Sequence, residues 1–143
     1  MWEFCDEVAS RSPAPAGVAT AVVAADLGMS LLIKTLAITG KRPDLLERAR
    51  AESATLRRTV QEDIAAVREL MRSGDARKAT EVPMRAARSV AAGLDLCAQA
   101  SGEIHGLLAA DLGAAAALLS GAAQAIQICV DANLSASSET GRS

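Results

Sequence analysis

The sequence predicts an all-α protein, an antiparallel or orthogonal bundle of long helices. Three observations predict it. No stretch alternates apolar and polar residues with period two, whereas Leu56, Val60, Ile64, Val67 and Met71 recur at the three- and four-residue spacings of a helix face. Two stretches, Ala14–Ile38 and Ile104–Val130, are apolar on nearly every side and rich in Ala and Gly, as the inner helices of a bundle or an oligomer are. Finally, 50% of the 143 residues are hydrophobic but only 1% are aromatic. A core of Ala, Leu, Val, Ile and Met suits close helix contacts better than a sandwich, and the length suits one domain.

Taken in order, Trp2–Ala9 forms a short amphipathic helix with Trp2, Phe4, Cys5 and Val8 on its apolar side. Ser10–Gly17 holds two prolines, which force an extended segment. Two readings of this turn stand: a simple connector, or a backbone loop that lets a ligand approach the amides opening the next helix. That helix runs from Gly17 to about Thr39 and ends at Gly40-Lys41-Arg42-Pro43, a glycine, two cations and a proline. A third helix covers about Asp44–Arg72, and Ser73-Gly74-Asp75 breaks it. Pro83 is placed at the start of the fourth, whose buried face is Met84, Ala87, Val90, Ala91, Leu94 and Ala98. Ser101-Gly102 ends it, and the last helix spans roughly Leu107–Leu134. The domain is therefore 1–134, and the Ser-rich segment 135–143 reads as a polar, disordered tail.

The composition excludes several classes. A net charge of −2, with no basic block interleaved with aromatics, argues against a nucleic-acid partner. Cys5, Cys97 and Cys129 are odd in number and contain no Cys-x-x-Cys, so neither a disulfide framework nor a metal site is expected. Reduced thiols suit a cytoplasmic protein. The start, Met-Trp-Glu-Phe-Cys-Asp-Glu, lacks the basic region of a signal peptide. The two long apolar stretches carry Asp26 and Lys34, and Asp111, Gln124 and Gln127, which argues against membrane spans.

Those charges are also the candidates for chemistry. Asp111 interrupts an apolar run and is either an acid in the first turns of a helix or a functional carboxyl. Asp63 lies at the edge of the stripe made by Val60, Ile64 and Val67, either partly solvated or functional. Lys34 either snorkels from its apolar helix or meets a ligand carboxylate. His105, the single histidine, is either a solvated loop residue or a proton-transfer group.

Four features occur together in order: Glu3-Phe4-Cys5-Asp6-Glu7-Val8-Ala9, the turn Pro13-Ala14-Pro15-Ala16-Gly17, Glu62-Asp63, and Ala110-Asp111-Leu112 followed by Asn133-Leu134. With Ile38-Thr39 and Val82-Pro83, they resemble the C-terminal family of formiminotransferase-cyclodeaminase, which includes stand-alone cyclodeaminases and methenyltetrahydrofolate cyclohydrolases. The resemblance covers nearly the whole chain up to Leu134. It implies a helical homodimer with a folate site in a cleft near the dimer interface. It implies carboxylate acid/base chemistry by Asp63 and Asp111, with His105 in the loop before Asp111. Pro15, Ala16 and Gly17 correspond to the family's glycine turn, Glu103 to its Gly-Asn position and Asn133 to an asparagine of its last core helix, all substrate-binding, with Lys34 an added candidate. A tetrahydrofolate derivative would be the substrate, without a metal or prosthetic group.

The chain departs from that pattern at Ala16 and Val18, which replace two of the turn's three glycines, at Glu103 and Ala110, and in its short C-terminus. A methyl group could close the site if the turn needs positive φ. Two alternatives follow: a divergent enzyme that cyclises or dehydrates another nitrogen-containing substrate, and a non-catalytic helical dimer.

Overall fold

The computed structural model describes residues 2–140, with side chains placed through Ala136. It contains five helices: α1 (Trp2–Val8), α2 (Gly17–Thr39), α3 (Pro43–Ser73), α4 (Arg77–Ala100) and α5 (Leu107–Thr140). No strand occurs among the described residues. Helices α2 to α5 form an up-down-up-down bundle in which each packs against its chain neighbour and α5 closes the ring on α2. The pairing is antiparallel rather than orthogonal. Asp26 of α2 faces Ser53 of α3, and Ala19 faces Asp63. Likewise Gly17 faces Cys129 of α5, and Gly28 faces Ala115 and Leu119.

Glycines set the two sharp reversals. Gly40 and Gly74 adopt left-handed φ of 70° and 79°, and their N–H groups close onto the Leu36 and Leu70 carbonyls at 3.0 and 2.8 Å. Pro43 opens α3 with φ already set for a helix.

Met29, Leu32, Leu45, Leu56, Leu96, Leu119 and Ile126 fill the interior. Without aromatic bulk, close contact depends on missing side chains. A Cβ at Gly28 would lie 3.0 Å from the Ala115 carbonyl oxygen, and one at Gly93 would lie 2.5 Å from Met29 Cε. Asp26 ties α2 to α3: it accepts from the Ser53 hydroxyl and from Arg57 Nε at 2.9 Å.

Two boundaries differ from the sequence expectation. Helix α4 begins at Arg77, so Pro83 lies inside it and not at its start. Just before it, Asp75 Oδ1 accepts from the Arg77 N–H at 3.0 Å, an Asx turn that leads into the helix six residues ahead of the proline. Helix α5 continues to Thr140, so 135–140 of the expected 135–143 tail extend the helix, and 141–143 lie outside the described residues. Ser and Thr weaken a helix by only a few tenths of a kcal/mol each, and the long preceding helix templates them.

By length and composition, α2 and the Leu107–Ala136 part of α5 could each cross a membrane. Their apolar windows are 44% and 22% buried inside the bundle, so α5 leaves most of its apolar surface outside.

Candidate active site

The most unusual group in the fold is the Asp63 carboxyl. It is 3% exposed, on a face of α3 that packs against the N-terminal end of α2. The sequence places it there because Val60 and Ile64 are drawn into the core, and Asp63 shares their turn. Burial pushes its carboxyl up to about 6, and a hydrogen bond from the Ala19 backbone N–H opposes that rise.

Ala19 lies in the first turn of α2, where backbone amides have no partner inside the helix. The residue at the helix boundary, Ala16, has no side chain able to cap it. Asp63 therefore supplies from another helix what a Ser or Asp would supply locally. The amide end of α2 favours the carboxylate, and the apolar surroundings favour the acid form. The balance leaves a group able to give or take a proton near neutral pH.

The turn leading into α2 is compatible with the replaced glycines. Ala16 has φ −132°, which any L-residue adopts, and no non-glycine among the described residues has positive φ. Pro15 is buried, whereas Ala16 and Gly17 are exposed, and Val18 enters the core. The Thr20 hydroxyl donates to the Ala16 carbonyl at 2.7 Å and braces the turn. Gly17 is the one position there that must stay bare, since a Cβ would approach Cys129 Sγ to 2.8 Å. A shallow apolar groove of about 580 Å³ runs from this turn along the α2–α5 seam, past Thr20, Ala24, Leu118 and Gly121. Thr20 and Cys129 were not among the sequence candidates. A hydroxyl four residues after Ala16 and a thiol at the far end of α5 give no pattern before the helices are paired.

The other candidates lie elsewhere. Asp111 is half-buried one turn before Ala115, which faces Gly28, while Asp63 faces Ala19. Nine residues of α2 and four of α5, at 1.5 Å each, put the two acids about 20 Å apart along the bundle. Within one chain they do not share a substrate atom, which corrects the expectation of a carboxylate pair. His105 and Glu103 lie in the α4–α5 connection, at the same end as Asp111. His105 is exposed, and Glu103 is half-buried beside Arg42, itself held in a two-point pair by Asp44. Lys34 is exposed on α2, its charge outside the core. Asn133 is at the Asp63 end but belongs to a separate groove with Thr80, Pro83, Met84 and Val130, on the α4 side.

No group of three or more potential metal ligands occurs among the described residues. All three cysteines are free, and burial pushes the Cys97 thiol up, keeping it protonated and inert.

The family model described as formiminotransferase-cyclodeaminase matches residues 1–78 and again 66–142, so that the two matches together run through nearly the whole chain. The chain belongs to the formiminotransferase-cyclodeaminase family. A search of the curated proteins finds no match.

Proposed function

We propose that the protein is a folate one-carbon enzyme of the formiminotetrahydrofolate cyclodeaminase or methenyltetrahydrofolate cyclohydrolase type, with Asp63 as its acid–base group. One observation carries this reading: a buried carboxyl, poised at about 6, on the amide end of α2 beside the Pro15–Gly17 turn. Family membership supplies the substrate class.

In the deaminase reaction, N10 of 5-formiminotetrahydrofolate, bound as its amidinium cation with two hydrogens already on the formimino nitrogen, adds to the formimino carbon. The Asp63 carboxylate takes the proton from N10. The resulting acid returns it to the formimino nitrogen, which leaves as ammonia while the N5–C–N10 bridge becomes the methenyl cation. In the hydrolytic reaction, the carboxylate takes a proton from water as oxygen bonds to the methenyl carbon, gives it to N5 as the N5–C bond breaks, and takes the remaining hydroxyl proton, which passes to solvent, as the formyl C=O forms. Either sequence needs one group that is a base and then an acid within a turnover, and a carboxyl near 6 is suited to both at neutral pH. Gly17 and Ala16 leave the approach to the turn open to a flat ring.

The pH dependence of kcat/KM tests this. The profile should bend near pH 6, and Asp63→Asn should lower the plateau by about 10²–10⁴-fold. An unchanged rate in Asp63→Asn would remove the carboxyl from the mechanism. The reduced thiols fit a cytoplasmic setting.

A further inference from the structure

We propose that α1 is the lid of the groove beside the Asp63 turn, and that Trp2, on its outer edge, closes over the flat pterin ring of the substrate. The inference rests on the reading above and names the part of the chain that grips the ring.

A flat aromatic ring is recognised most readily by another aromatic face stacked on it. The chain has few to offer: one Trp, one Phe, no Tyr and one His. His105 lies in the α4–α5 connection, at the opposite end of the bundle from Asp63. Trp2 and Phe4 both lie on α1, and α1 adjoins the site. Its Val8 forms part of the wall of the apolar groove that begins at Ala16 and Gly17. Two residues after Gly17 comes Ala19, whose N–H holds Asp63. An aromatic partner for a ring at this turn can therefore come only from α1.

Helix geometry puts the indole on the open side of the groove. At about 100° per residue, the apolar side of α1 runs Phe4, Val8, Cys5, Trp2, in steps of about 40°, 60° and 60°. Phe4 packs against the core, and Val8 borders the groove. Cys5 and Trp2 continue past Val8, away from the core, and both are exposed, Trp2 at 79%. Half of the apolar face is thus seated, and half is left in water just beyond the groove wall. Glu3, Asp6 and Glu7 occupy the rest of the helix surface and face water. Across the groove lie Ala24, Gly121 and Ala125, which are too small to reach the indole. A flat ring fills the gap between them.

The fastening of α1 suits a part that moves. It buries no residue and pairs extensively with no other helix. None of its three acids is in an ion pair among the described residues. Residues 9–13 are exposed, and the hydroxyls of Ser10 and Ser12 donate only to nearby backbone, at the Glu7 and Ala14 carbonyls. Tilting α1 about this segment breaks few contacts, and closing it over a ring seats the apolar half now in water.

Trp2 is the single tryptophan, so the fluorescence of the protein reports it alone. The probe is 5-formyltetrahydrofolate, with binding measured separately by equilibrium dialysis. In the free protein, acrylamide should quench Trp2 nearly as fast as it quenches N-acetyltryptophanamide. At saturating probe the quenching constant, taken from lifetimes, should fall severalfold. Trp2→Ala should weaken probe binding by about 5–150-fold, the value of one stacked ring, and Trp2→Phe should recover most of it. Both variants should keep the wild-type circular dichroism, because Trp2 is exposed, and the quenching result on wild type stands whatever the variants do. Bound probe with unchanged quenching, or equal affinity in Trp2→Ala, would overturn the lid and leave the folate reading standing. A Trp2 already shielded in the free protein, as against a second copy, would also overturn it. Wild type that fails to bind the probe would remove the folate reading and the lid with it.

Discussion

Asp63→Asn should make the protein more stable at pH 7 while removing its chemistry. In the folded chain burial holds the Asp63 carboxyl at about 6, against 3.8 for an unperturbed aspartate. The native state therefore binds this proton more tightly than the unfolded chain, and stability falls as pH rises through the window between them. The contribution is complete below about pH 4 and lost above about pH 6. Two pK units correspond to about 3 kcal/mol, so ionised Asp63 costs the fold that much at pH 7. Asn has nearly the same shape, keeps an oxygen for the Ala19 N–H and carries no charge. The variant should gain about 2–3 kcal/mol at pH 7, which is ~6–9 °C in Tm for a domain of this size, and the difference should vanish near pH 4. Urea unfolding followed by circular dichroism, wild type beside variant from pH 4 to pH 7.5, measures it. Subtracting the two curves cancels the titration of all other carboxylates. A variant equal to or less stable than wild type at pH 7, with parallel pH curves, would refute the argument that a buried charge is held at a cost.

Other substitutions probe the frame around the site. Asp26→Ala removes the acceptor shared by Ser53 and Arg57 and should lose about 1–3 kcal/mol of stability, read as a lower urea midpoint. Gly28→Val should lose about 1–3 kcal/mol by overpacking against the Ala115 carbonyl and Leu119, read as a lower Tm. Gly17→Ala should destabilise through Cys129 Sγ, and adding Cys129→Ala should recover it, giving a coupling of about 0.5–3 kcal/mol in a double-mutant cycle.

The helices were legible because their signals are local. The spacing of Leu56, Val60 and Ile64 marks α3, and Gly40 followed by Pro43 marks the reversal before it. Pro83 misleads because a proline can open a helix or sit within one, and the Asp75 turn that precedes Arg77 is a weaker sign. The end of α5 escapes the sequence reading because polar composition resembles a tail, whereas an established helix carries six more mostly polar residues at little cost. At the site, the family pattern picked out Asp63 and the turn at Pro15–Gly17, and the structure puts them together. It could not separate Asp63 from Asp111, because their distance depends on which ends of α3 and α5 meet. The apolar outward stripe of α5 was visible in sequence only as excess hydrophobicity.

The central claim is folate chemistry by Asp63. Purified protein should be assayed on 5,10-methenyltetrahydrofolate for loss of the methenyl absorbance, and on 5-formiminotetrahydrofolate for its appearance with release of ammonia, with Asp63→Asn beside it. The account predicts that wild type turns over one of the two far faster than buffer, and that the variant, folded and more stable, falls by about 10²–10⁴-fold. Wild-type rates equal to buffer on both substrates, or a fully active variant, would contradict it.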